Sequence, residues 1–246
     1  CCQHNHAQGW PYYAEHLVLA TPDNGAALAL YASCQADITV GNNQKIKLIE
    51  KTNYPFEESI QLLVQTEKNV DFPLYLRIPS WSPDASIKIN GKKVKTSLIA
   101  GQYVRIQRTW SNDDVIELNV PMHLNLRTWQ VNKNSVSIDY GPLTFSLKIQ
   151  EKYIKRDSRQ TAIGDSQWQN DADAENWPSF EILPASAWNY SLVLDKENAL
   201  KNFEVIRKNW PDNNFPFTQE SCPIEIKAIG RKVPSWKVDQ YGLCHE

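Results

Sequence analysis

The sequence predicts a mainly β protein made of two antiparallel β-sandwich, jelly-roll-like units. Three observations carry that expectation. Apolar residues alternate with polar ones, at a period of two, through most of the first 120 positions. Turn chemistry, Asn-Gly above all, separates the alternating runs. Pro121-Met122 then interrupts the pattern, and a second set of alternating runs begins beyond it. At 246 residues the chain is long enough for two domains of ordinary size with a substantial buried core.

Residues 12–20, Tyr-Tyr-Ala-Glu-His-Leu-Val-Leu-Ala, fit either the end of a helix or the start of a strand. Thr21-Pro22-Asp23-Asn24-Gly25 closes that element with residues suited to turns. The alternation follows: Ile46 and Leu48 with Lys45 and Lys47; Ile60, Leu62 and Val64 with Ser59, Gln61 and Gln65; Leu74, Leu76 and Ile78 with Tyr75 and Arg77. Each run is a strand with one face buried. Ser86 to Ile89 and Lys92-Lys93-Val94 flank Asn90-Gly91, the pair that a type I′ hairpin needs because both central residues take positive φ. Gln102 to Gln107 and Val115 to Val120 form two more strands around an Asn112-Asp113-Asp114 turn. About seven antiparallel strands by residue 120 need a second layer to cover their apolar faces.

Beyond the break, Val136 to Tyr140, a Gly141-Pro142 turn and the row Leu143, Phe145, Leu147, Ile149 open the second β-unit. Residues 155–179 are polar and read as a long loop, of the kind that serves function, an interface or mobility. Strand signals resume at Trp188–Leu194 and Ile224–Ala228, and Asp195–Leu200 is compatible with a short helix.

The formal charge of −2, with both signs interspersed, leaves no basic footprint for nucleic acid or an anionic membrane. No run of about 18 apolar residues offers a membrane-spanning helix. The five cysteines, Cys1, Cys2, Cys34, Cys222 and Cys244, are an odd set in a chain this large, which argues against a closed disulfide framework and leaves the compartment open.

The head, Cys1-Cys2-Gln3-His4-Asn5-His6, concentrates thiols and imidazoles. Such ligands suit zinc, although neither Cys-x-x-Cys nor His-x-x-x-His spacing is present; the alternative is two partly buried thiols beside loop histidines. A thiol is also a nucleophile when a metal, a cation or a helix N-terminus lowers its pKa. Glycoside chemistry calls for two carboxylates about 5–9 Å apart. Glu57-Glu58 and Asp113-Asp114 read instead as exposed turn residues. Asp171-Ala-Asp173-Ala-Glu175 mimics half a calcium loop without its central glycine. The nine tryptophans could stack on sugar rings, but Trp81, Trp110, Trp129 and Trp236 sit at strand ends, where a large ring plugs a sandwich.

Several motifs occur together in order: Cys1-Cys2-Gln3-His4-Asn5, Thr52-Asn53-Tyr54-Pro55-Phe56, Leu76-Arg77-Ile78-Pro79-Ser80-Trp81, Ile89-Asn90-Gly91, Arg108-Thr109-Trp110 and Tyr140-Gly141-Pro142-Leu143. Over residues 1 to about 145 the chain thereby resembles the C-terminal portion of the β-L-arabinofuranosidase family, glycoside hydrolase family 127. The resemblance implies an upstream (α/α)6 barrel that holds the active site, with residues 1–18 its remnant, followed by β-sandwich domains at 19–122 and 123–246. It implies a retaining mechanism on furanosidic glycans, in which a zinc-bound cysteine thiolate is the nucleophile and a glutamate the acid/base. Carried over by position, Cys1 matches the nucleophile, which also contacts zinc, and Cys2 matches a zinc ligand. The acid/base and the other two zinc ligands match nothing here and are expected upstream, so this chain alone is expected to be inactive. Gln3 and His4 depart from the prolines usual after the cysteine pair. Outside that reading, the sandwiches are expected to act as a carbohydrate-binding or purely structural module.

Overall fold

The computed structural model describes residues 5, 7–156, 175–176, 178–239 and 244–245, the last two for the backbone only. The chain divides into two compact units, Cys1–Phe145 and Ser146–Glu246. The described residues of the first include α1 (Gly9–Glu15), followed by β1 (Val18–Ala20), β2 (Ala26–Leu28), β3 (Cys34–Val40), β4 (Gln44–Thr52), β5 (Ser59–Gln65), β6 (Val70–Arg77), β7 (Ser86–Ile89), β8 (Lys92–Lys93), β9 (Tyr103–Trp110) and β10 (Asp114–Asn119).

These ten strands form two sheets, one ordered β1-β2-β6-β9 and the other β3-β4-β5-β10-β7-β8. Residues of both sheets meet in one hydrophobic core: Leu28, Phe72, Leu74, Leu76, Val104, Ile106 and Trp110 from the first, and Val40, Ile46, Leu48, Ile60, Leu62, Val64, Ile87, Ile116 and Leu118 from the second. This is the expected sandwich, and its inner face is the set of alternating positions read from the sequence. The helix α1 has no buried residue, and nothing in it establishes a piece of a barrel.

The Asn90-Gly91 hairpin forms as the positive-φ pair predicts, with φ of 50° and 75°. It is more than a local turn. Asn90 Nδ2 donates to Asp114 Oδ1 at 2.7 Å, and Asn90 Oδ1 accepts from the Val115 N–H at 2.9 Å, so one amide side chain ties the hairpin to β10. Asp114 is buried and also accepts from the Ser111 N–H at 2.9 Å.

One pairing departs from the antiparallel expectation: β2 lies parallel to β6, with Ala26, Ala27 and Leu28 opposite Leu74, Tyr75 and Leu76. The crossover is supplied by β3, β4 and β5, which belong to the other sheet. Close approach at its entry depends on Gly25, where an added Cβ would lie 2.2 Å from the Pro73 carbonyl oxygen. Because that neighbour is backbone and has no rotamer to yield, Gly25→Ala should lower the stability of unit 1 by about 3 kcal/mol, read from its urea midpoint.

Past residue 120, β11 (Leu124–Trp129), β12 (Ser135–Tyr140) and β13 (Leu143–Phe145) form a three-stranded antiparallel sheet that belongs to the same compact unit. The second unit contains β14 (Glu151–Arg156), β15 (Ser179–Pro184), β16 (Tyr190–Leu192), β17 (Phe203–Arg207), β18 (Ile224–Ala228), β19 (Gly230–Lys232), β20 (Lys237–Val238) and β21 (Cys244–His245). They pair antiparallel as β14-β15, β16-β19, β17-β18 and β20-β21. The expected 155–179 loop begins later and ends sooner than its composition suggests, since Lys155 and Arg156 pair with Phe180 and Ser179. Most of its interior, with Asp171 and Asp173, lies outside the described residues.

No helix forms at Asp195–Leu200. Asp195 Oδ1 accepts the backbone N–H groups of Glu197 and Asn198, both at 3.0 Å, and those bonds close a turn in place of a first helical turn. Among the described residues no helix is long and apolar enough to cross a membrane.

Candidate functional site

The residues singled out from the sequence divide into those the structure explains and those outside its reach. Cys1, Cys2, His4 and His6 lie outside the described residues, so the zinc and nucleophile expectations rest on the sequence. Among the described residues no three His, Cys, Asp or Glu side chains converge into a metal-binding group.

The carboxylate pairs are structural, but Asp114 departs from the exposed turn position expected of it: it is buried at the start of β10. Asp113 occupies a positive-φ turn position, and Asp114 is the buried acceptor that braces the hairpin. Glu57 accepts from Asn53 Nδ2 at 3.0 Å, and Glu58 accepts from the Met122 N–H at 3.1 Å. Trp110 is a core plug whose Nε1–H donates to the Phe72 carbonyl at 3.0 Å. Trp129 is exposed, with Arg127 stacked 4.6 Å from its ring.

Sequence reading missed the most unusual group in the unit, Glu50. It follows Ile46 and Leu48 on the inward-facing side of β4, and only 2 % of it is exposed. Position 50 is the next inward step of that alternation, and this was the available signal. Register sets Cys34 of β3 on one side of it and Leu62 of β5 on the other. Both carboxylate oxygens are buried without a hydrogen-bond partner. Burial pushes the Glu50 carboxyl up to about 8, against the opposing pull of the Ala32 backbone N–H.

Aromatic rings surround this end of the sandwich. Tyr31 is buried, donates from its hydroxyl to the Arg77 carbonyl at 2.6 Å, and meets Tyr54 edge to face with ring centroids 5.9 Å apart. The Arg77 guanidinium sits 6.0 Å over the Tyr31 ring while its Nε donates to the Ala29 carbonyl at 2.7 Å. Tyr13 reaches in from α1, its hydroxyl 3.5 Å from the Tyr31 carbonyl. Burial raises the Tyr13 hydroxyl and the Cys34 thiol, and the Glu50 charge adds to both shifts. A thiol raised in this way is a poor nucleophile, so Cys34 is no substitute for the head cysteines.

A second polar group lies on the outer face of the four-stranded sheet. Tyr75 Oη donates to Asp23 Oδ2 at 2.7 Å, Arg105 Nε donates to Tyr75 Oη at 2.9 Å, and Arg105 Nη2 donates to Gln107 Oε1 at 2.7 Å. Gln107 Nε2 continues the row to Asp71 Oδ2 at 3.0 Å. Hydrogen bonds from Thr21 and Tyr75 hold the Asp23 carboxyl below its usual range. The row fastens the 21–25 turn to the sheet and leaves Tyr103 exposed at its end.

Residues 25–122 match the family model described as "Beta-L-arabinofuranosidase, GH127 middle domain". Three solved structures share the fold, each with a TM-score of 0.54. One is a glycoside hydrolase, 24 % identical, with 63 % of this chain and 25 % of that one covered. Another is a GH127 beta-L-arabinofuranosidase from Geobacillus stearothermophilus, 22 % identical, with 75 % and 34 % covered. A further GH127 beta-arabinofuranosidase is 20 % identical, with 80 % and 33 % covered. The chain thus spans a quarter to a third of the length of these structures. No curated protein matches it.

Proposed function

We propose, on the premise that residues 25–122 are a GH127 middle domain, that this chain is the β-sandwich portion of a retaining glycoside hydrolase acting on furanosidic sugars. That family match is the observation that supports the reading most directly. Under it, Cys1 is the nucleophile, and Cys1 and Cys2 are zinc ligands. The proton donor and the remaining ligands come from an (α/α)6 barrel upstream. Zinc would keep the ligating thiols deprotonated at neutral pH. What the described residues contribute is a filled sandwich core, which α1, the element downstream of the cysteine pair, meets through the Tyr13 hydroxyl.

The test is an assay of the 246-residue chain with 4-nitrophenyl arabinofuranosides. No nitrophenol release is expected, because the acid/base is supplied from elsewhere. Turnover that disappears in Cys1→Ser would refute the claim that the chain alone is inactive.

An accessory glycan-binding role has one observation in its favour, the ordered outer row of Tyr75, Arg105 and Gln107 ending in exposed Tyr103. Planar polar groups beside an aromatic ring suit vicinal hydroxyls. If the row binds glycan, the chain will be retained on insoluble arabinan and Tyr103→Ala will release it; passage of the unaltered chain straight through excludes this role.

A further inference from the structure

Register divides the sheet of β11, β12 and β13 into two unlike faces. Leu126, Ile138 and Phe145 form one cross-strand row and Leu124, Tyr140 and Leu143 another, so one face carries the apolar side chains. On the opposite face Asn125, Asp139 and Thr144 share a row, Arg127 and Ser137 the next, and Trp129 and Ser135 a third. Trp129 is the exception among these polar residues. It is 43 % exposed, and Val131, the next apolar residue, is 99 % exposed and therefore does not cover it. A threonine at that position would serve strand pairing without showing an indole to water.

The ring is also held in place. Its Nε1–H donates to Ser137 Oγ at 3.2 Å, Arg127 Nε donates to the same hydroxyl at 3.4 Å, and the Arg127 guanidinium lies 4.6 Å from the ring centroid. Arg127 Nη2 donates to Asp139 Oδ1 at 3.3 Å, and Thr144 Oγ1 donates to that oxygen at 2.7 Å. Among the described residues no side-chain bond reaches Asp139 Oδ2, and none leaves Arg127 Nη1 or the Asn125 amide. The spare capacity is thus a donor and an acceptor on two paired planar groups, along the face from a fixed aromatic ring. That set matches a polyol: adjacent hydroxyls each give and take a hydrogen bond, and the C–H face of a sugar covers an indole. With Arg127 and Asp139 paired the face is nearly neutral, so an anionic ligand would meet Asp139 and a cationic one Arg127. Four residues of strand separate Asn125 from Trp129, about 13 Å, which calls for several linked sugars rather than one ring.

We propose that this face binds a neutral oligosaccharide, with a sugar C–H face on Trp129 and vicinal hydroxyls on Arg127, Asp139 and Asn125. The site is separate from the row ending in Tyr103, which lies on another sheet, and its chemistry does not rest on the family match.

The experiment follows the indole N–H signals of the ¹⁵N-labelled 246-residue chain by NMR as arabinohexaose, xylohexaose or cellohexaose is added. The Trp129 signal is the one missing from Trp129→Phe. It should shift saturably with at least one of these sugars, and Asp139→Ala should bind that sugar about tenfold more weakly. Arg127→Lys keeps the charge but loses the planar fork, and should weaken binding as well; this second variant carries the test if Asp139→Ala does not fold. Tyr103→Ala should bind as the parent chain does. A Trp129 signal that none of the three sugars moves overturns the proposal, as does undiminished binding by a folded Asp139→Ala or by Arg127→Lys. An equal or larger shift with galacturonic acid hexamer at matched ionic strength replaces the neutral ligand with an anionic one. A shift that Tyr103→Ala abolishes assigns the sugar to the other row. Loss of the glycoside hydrolase reading would change none of these outcomes.

Discussion

Replacing Trp110 by alanine is expected to destabilise unit 1 by about 3–5 kcal/mol, the range for emptying a large buried aromatic site. The side chain has no exposed surface, lies against Phe72 with ring centroids 5.8 Å apart, and donates its Nε1–H to the Phe72 carbonyl. It sits at the end of the edge strand β9, in register with Val70 of the inner strand β6. Trp110→Phe separates the contributions: it keeps much of the packing and removes the hydrogen bond, and should cost about 1–2 kcal/mol. Urea unfolding of the two variants beside the parent chain checks the order; a loss below about 1 kcal/mol for Trp110→Ala would show that the ring is not a core element.

The second large effect is a dependence on pH. The Glu50 carboxyl titrates near 8 in the folded chain and near 4.5 when unfolded, so between those values the folded state holds a proton that the unfolded state has released. Stability from this group is therefore full below about pH 4.5, falls as pH rises towards 8, and is level above it. The shift corresponds to a difference on the order of 4 kcal/mol across the window. Glu50→Gln preserves the shape and removes the charge. Because every other titrating group is shared, the difference in urea-derived stability between the two chains isolates Glu50: near zero at pH 4.5 and increasingly in favour of the glutamine variant by pH 8. A flat difference over that range would mean that the carboxyl reaches water or a partner.

Much of the sandwich was legible because burial on one face forces a period of two. Ile60, Leu62 and Val64, or Leu74 and Leu76, could not all turn inward in any other conformation. The Asn90-Gly91 turn was legible because positive φ at two successive positions selects those residues. The parallel β2 was not, since Ala26, Ala27 and Leu28 are too few and too uniform to show alternation, and their partners lie 48 positions away. At Asp195 the same carboxylate chemistry that caps helices closes a turn, and only the downstream backbone decides between them. Glu50 escapes notice because a charged residue is expected to face water, although the alternation of Ile46 and Leu48 already turns position 50 inward. The cysteine head, by contrast, rests on its concentration of thiols and imidazoles and on the family resemblance, and residues 1–4 lie outside what the structure describes.

The six-stranded sheet ends in β8, which consists of two exposed lysines, Lys92 and Lys93. An open strand edge is a template on which another chain can add itself, and with a net charge of only −2 there is little long-range repulsion to keep copies apart. Two adjacent ammonium groups on a two-residue edge make that addition unfavourable: a newcomer would gain very few backbone bonds and would have to accommodate both charges. The four-stranded sheet guards its outer edge in a related way, with Arg105 and Arg108 along β9. Charge at β8 and β9 thus works against strand addition at those two edges, where it takes nothing from the packing of the core.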